Sequence, residues 1–109
     1  RANSVVTKRL RTARKLLEAG AREAFYEETL RALWGYLGDK LRLPGSELSR
    51  DSVSELLRSR GLDEETIARL TSVIDEVEFA RYAPAKEGDM QALYDTTAEV
   101  ISAIDTHKL

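Results

Sequence analysis

The sequence predicts an all-α domain, a compact bundle of about five helices arranged around one central, tryptophan-bearing helix. Three observations lead there. Apolar residues recur at intervals of three and four in every long segment, the period of one helix face. The two prolines and six glycines are few and fall mostly at segment ends, where they stop helices instead of interrupting them. A 42% apolar fraction supplies one core, and a 33% charged fraction suits a well-solvated helical surface. The length, 109 residues, is that of one domain.

The first helix is expected over residues 4–19, with Ser4 as its N-cap and Val6, Leu10, Ala13, Leu16 and Leu17 as its apolar face. Gly20 ends it, and the short spacer that follows implies an antiparallel hairpin with the next helix. That next helix, Ala24–Leu41, is the expected centre. Tyr26, Leu30, Leu33, Leu37 and Leu41 form one stripe, widened by Trp34, and Phe25, Thr29, Ala32 and Tyr36 form a second beside it. Two adjoining stripes call for cover on more than one side. Gly35 and Gly38 each cost a helix roughly 1 kcal/mol against Ala, so a neighbouring backbone is expected to pass close to them.

Pro44 and Gly45 then turn the chain, with Leu43 and Leu48 folding back on the core. Ser49 caps a short third helix that buries Val53, Leu56 and Leu57 and stops at Gly61. Asp63 caps the fourth, with Glu64 and Glu65 complementing the helix dipole and Leu62 placed to staple against Ile67. Its face is Ile67, Leu70, Ile74, Val77 and Ala80 or Arg81, with Val73 on the flank, and Pro84 sets its limit. Asp89 is the expected cap of the last helix, which buries Met90, Leu93, Tyr94, Thr97, Val100, Ile101 and Ile104 and has Lys108 near its end.

Composition excludes some chemistry outright. With no cysteine there is no disulfide, thiolate metal site or thiol catalysis. No apolar run approaches the length needed to cross a bilayer. The chain opens on Arg1 and its only methionine is Met90, so it is expected to be a piece of something longer. Charge is uneven: residues 1–15 hold Arg1, Lys8, Arg9, Arg11, Arg14 and Lys15 with no acid, while the remainder has 11 basic and 19 acidic residues. A basic arm of this kind suits an anionic partner, nucleic acid or lipid headgroups.

No motif assigns a catalytic residue, a cofactor or a metal. His107 is the only histidine and has no carboxylate or basic partner at a recognisable spacing. Asp75, Glu76 and Glu78 read as a solvated face, because neither a histidine nor a second carboxylate cluster accompanies them. Arg81 and Tyr82 stand out more. They lie with Glu78 and Phe79 at a helix end before a proline, either as a structural corner with Tyr82 packed on the central helix or as a partner-binding surface. Trp34 and Tyr36 join that candidate surface wherever they are uncovered. Lys8, Arg11 and Lys15 lie on a polar helix face with no aromatics interleaved to stack on bases, and the body beyond is acidic, which disfavours nucleic acid.

Three blocks carry a resemblance: FYEETLRALWGYLGDKL (Phe25–Leu41), LPGSELSRDSV (Leu43–Val53) with RGLDEET (Arg60–Thr66), and IDEVEFARYAP (Ile74–Pro84). Together they resemble the C-terminal cytoplasmic domain of the BatD family, membrane proteins of the bacterial aerotolerance operon. The resemblance spans nearly the whole chain. It implies a transmembrane helix just before Arg1, a tail on the cytoplasmic side of the inner membrane, and basic residues marking that side. It also implies protein partners from the same operon: a MoxR-type AAA+ ATPase, von Willebrand factor A-domain proteins and tetratricopeptide proteins. The expected function is then a non-enzymatic scaffold or docking domain linked to oxidative-stress tolerance. The alternative is a helical nucleic-acid-binding domain that uses the basic arm.

Overall fold

Residues 4–107 are described by a computed structural model, apart from the side chain of Arg81. Arg1, in the basic arm, and Lys108, expected near the last helix end, lie outside the described residues. Six α-helices are present among the described residues, and no strand: α1 (Ser4–Arg9), α2 (Arg11–Glu18), α3 (Arg22–Leu41), α4 (Arg50–Ser59), α5 (Glu64–Phe79) and α6 (Asp89–Thr106). Short 3₁₀ turns at Gly45–Glu47 and Ala80–Tyr82 complete the regular structure. The radius of gyration, 13.4 Å, matches the roughly 13 Å expected for a close-packed chain of about this length.

The count exceeds the expected five because the first helix divides at Leu10. The hydrogen-bond ladder still passes through that residue, with Leu10 N–H donating to Val6 and Arg14 N–H donating to the Leu10 carbonyl. Its φ of −103° and ψ of 16° leave the α region, however, and so redirect the axis. The deviation carries Leu10 and Ala13 fully into the core, while Val6, Leu16 and Leu17 are half-buried against it. Ser4, expected as a cap, is already helical.

Both expected stripes of α3 are largely covered. Phe25, Thr29, Ala32 and Tyr36 are buried on one side, and Tyr26, Leu33, Leu37 and Leu41 on the other. The helix packs on α1, α2, α5 and α6. Leu30 and Trp34, which belong with the Tyr26 stripe, are only half-buried. The two glycines differ. A Cβ on Gly38 would lie 3.3 Å from the Leu43 carbonyl oxygen and from Leu48 Cδ1, so the returning turn passes as close as expected. A Cβ on Gly35 would meet nothing nearer than an Arg9 guanidinium nitrogen at 3.9 Å. The expected close backbone is therefore absent there.

Two of the four expected caps, Ser49 and Asp63, hold. The Ser49 hydroxyl accepts from Ser52 N–H while the Ser52 hydroxyl accepts from Ser49 N–H, a reciprocal capping box. The Asp63 carboxylate accepts from Thr66 N–H at 2.9 Å. At α6 the cap is Gly88, whose φ of +82° makes the turn, and Asp89 is the first helical residue. The Asp89 carboxylate is occupied otherwise, accepting Lys86 N–H and both terminal nitrogens of Arg22 at 2.8 Å. α5 stops at Phe79, and the last turn before Pro84 tightens to 3₁₀. α4 packs chiefly on α5, through the buried Val53 and Leu57 and an Arg50–Asp75 ion pair.

Candidate docking surface

The half-buried side chains of α3 mark the main concavity. A groove of about 850 Å³ runs between α3 and the end of α5, with the segment after it closing one side. One helical stripe of α3, at spacings of four, three and four, forms its first wall: Glu23, Glu27, Leu30 and Trp34. Val77 and Ala80 form the second, continued by Ala83 and Ala85. Small residues on this second wall keep the groove open, since Ala at 80, 83 and 85 fills little of the space beside Trp34. The floor and far end are thus apolar, and the near end is acidic.

Charge around the near end is partly spent internally. Arg22 is held by Asp89 in a bidentate pair and lies 5.0 Å from the centre of the Tyr26 ring. That pair holds the Asp89 carboxyl well below the ordinary carboxylate range, at about 2, against the opposing effect of burial. Glu76 shifts the other way: burial first, then the nearby Asp89 charge, raises its pKa. Arg31 is engaged bidentately by Glu28, three residues back on its own helix. Glu23 and Glu27 are exposed and take no part in the ion pairs among the described residues.

The residues singled out from sequence separate in space. Trp34 lines the groove. Tyr36, two positions on and therefore about 200° around the helix, is 3% exposed and faces the opposite side. Its hydroxyl donates to Asp105 at 3.1 Å, the Arg9 guanidinium lies 5.7 Å from its ring centre, and burial together with Asp105 pushes its phenol pKa up. It takes no part in the groove. Tyr82 is 77% exposed and Phe79 62% exposed, so the corner reading in which Tyr82 packs on α3 is overturned. By helical spacing 75, 79 and 82 share one side of the α5 rod, while 73, 77 and 80 share the other. Phe79 and Tyr82 therefore lie across α5 from the groove and not within it. The Arg81 side chain lies outside the described residues.

The remaining candidates have plain roles. Asp75 pairs with Arg50 at 2.8 Å. No group of three or more His, Asp or Glu side chains among the described residues is placed to hold a metal ion. His107 reaches the α4–α5 corner, its Nε2 3.7 Å from the position of a Cβ on Gly61, and the Asp63 pKa beside it is lowered chiefly by the hydrogen bonds from Thr66 N–H and the Thr66 hydroxyl. Sequence reasoning assigned Leu30, Val77 and Ala80 to the core and passed over Glu23 and Glu27. The signal was present in the stripe that runs from the two glutamates to Trp34 without a change of face. No helix among the described residues is long and apolar enough to cross a membrane.

What these side chains offer is apolar surface bounded by charge, suited to holding a chain segment. No protein-family model matches the sequence, and no curated protein or solved structure matches it significantly.

Proposed function

We propose that this chain is a non-enzymatic protein–protein docking domain, the cytoplasmic tail of a membrane-anchored aerotolerance protein of the BatD type. In this reading α3 is the central helix of the bundle, and its Trp34 side is the docking wall. The observation that carries the reading is apolar surface left uncovered around the end of α5: half-buried Leu30 and Trp34 in the groove, with Phe79 and Tyr82 exposed on the other side of the rod. A core that seals Leu33, Leu37, Leu70 and Ile101 completely has little reason to leave two large aromatic side chains in water and two more large apolar ones half-covered unless they meet a partner. The two blocks on which the resemblance leans most, Phe25–Leu41 and Ile74–Pro84, also supply the two walls. That agreement supports the family reading and the surface together.

The partners in this reading are the MoxR-type ATPase, von Willebrand factor A-domain and tetratricopeptide proteins of the same operon. Each is passed as a purified protein over the immobilised chain. One of the three binds, and the Phe79→Ala/Tyr82→Ala and Ala80→Glu variants each weaken it at least tenfold, with unchanged circular dichroism. Full binding by both variants refutes the surface. A second reading rests on Lys8, Arg11 and Lys15, which are exposed and outside the described ion pairs. They suit a phosphate backbone, and retention of duplex DNA that falls steeply with salt is the mark of that alternative.

A further inference from the structure

We infer that the groove between α3 and the end of α5 receives a basic amphipathic segment of the partner protein. Its apolar side chains lie on Leu30, Trp34, Val77 and Ala80, and its cationic ones lie against Glu23 and Glu27. The inference rests on the docking reading and adds the chemistry of the occupant.

Shape comes first. The groove is bounded by a helix wall on one side and by small residues on the other, the form that accepts a helix or an extended segment by its apolar face. Charge then selects among such segments. Among the described residues, the two arginines that line it, Arg22 and Arg31, are each held bidentately by a carboxylate of the domain itself, Asp89 and Glu28. Their charge is therefore not available to an acidic visitor. Glu23 and Glu27 line the same wall one turn apart, exposed and outside those pairs. Among the described lining residues the uncompensated charge is therefore negative, so a cationic segment is attracted and an acidic one repelled. Both glutamates lie on the stripe that leads to Leu30 and Trp34, so a single amphipathic face meets charge and apolar floor in register.

Trp34 is the only tryptophan of the chain and lines the groove, so its fluorescence reports occupancy directly. The full chain is titrated with two synthetic helical peptides free of aromatic residues. They share one leucine pattern and differ in carrying Lys or Glu on the flanks. The Lys peptide is expected to shift Trp34 emission to the blue and to bind about tenfold tighter than the Glu peptide, with an advantage that shrinks as salt rises. Glu23→Gln/Glu27→Gln is expected to remove most of that preference, and Glu23→Lys/Glu27→Lys to reverse it. Equal binding of both peptides at Trp34, or a Lys preference untouched by the Gln pair, overturns the charge assignment and leaves the docking reading standing. No Trp34 response to either peptide or to any operon partner overturns both. Concentration-dependent burial of Trp34 with a doubled mass in sedimentation assigns the groove to a second copy, and overturns the inference in that way.

Discussion

Gly35 and Gly38 lie one turn apart in α3, and the same substitution should move stability in different directions at the two sites. In a helix interior Ala is favoured over Gly by about 0.5–1 kcal/mol, partly through the entropy of the unfolded chain. At Gly35 nothing opposes that gain. The site is exposed, and the nearest atom to the new methyl is an Arg9 guanidinium nitrogen at 3.9 Å. Gly35→Ala is therefore expected to stabilise by about 0.5–1 kcal/mol, which in a domain of this size raises Tm by about 2–4 °C. At Gly38 the methyl would sit 3.3 Å from the Leu43 carbonyl oxygen and from Leu48 Cδ1. The leucine tip can turn aside, but the carbonyl is poorly able to, because Leu43 is anchored by its own N–H, which donates to Gly38 O at 3.0 Å, and its carbonyl leads straight into Pro44. Overpacking of this kind costs about 1–3 kcal/mol, enough to cancel the propensity gain and exceed it. Gly38→Ala should thus fall below Gly35→Ala by about 1–3 kcal/mol in urea unfolding followed by helical circular dichroism. Equal stabilisation by both would show that the turn does not press on α3, and the account of its C-terminal end would fail.

Two further outcomes follow from polar groups. Among the described residues, the Thr29 hydroxyl is buried in α3 with no hydrogen-bond partner in the protein, so Thr29→Val, which keeps the shape, is expected to stabilise by about 1 kcal/mol; a loss of stability on the same urea curve would show that the hydroxyl is bonded. The Asp89 pKa is lowered from 3.8 to about 2 in the folded state, so its contribution is present above about pH 4 and is lost as pH falls toward 2. The shift corresponds to at most about 2.5 kcal/mol. With the Arg22 and Asp89 side chains 31% and 21% exposed, about 1 kcal/mol of that should remain. Asp89→Asn should lose that amount at pH 7, and its stability deficit should close between pH 4 and pH 2; a deficit that stays constant with pH would assign it to packing.

Much of the helical plan was legible because it depends on local chemistry. Ser49 and Asp63 are hydroxyl and carboxylate groups at the right distance from an apolar run, and they cap as short side chains of that kind do. Asp89 looked the same but failed, because a cap competes with long-range partners and Arg22, 67 residues away in sequence, takes its carboxylate. The division at Leu10 was invisible for a related reason: no Gly or Pro marks it, and it follows from how α1 and α2 must bend to lie on α3 and α6. Periodicity identifies an apolar face and does not say which neighbour covers it. Trp34 and Tyr36 read alike as aromatics of the central helix, yet Tyr36 is sealed between Asp105 and Arg9 while Trp34 faces three alanines too small to cover it. Tyr82 was drawn toward the core by composition, but the 3₁₀ tightening before Pro84 leaves it on the outer side of the rod.

Because α4 is attached chiefly to α5, cohesion is unequal across the molecule. Peeling α4 away would wet Val53 and Leu57 and sever Arg50 from Asp75, while α2, α3 and α6 keep their mutual contacts. The bundle therefore has an inner tier that opens only with global unfolding and an outer leaf that can lift at lower cost. α5 is the hinge post between them, with the leaf fastened on one flank and the groove cut into another.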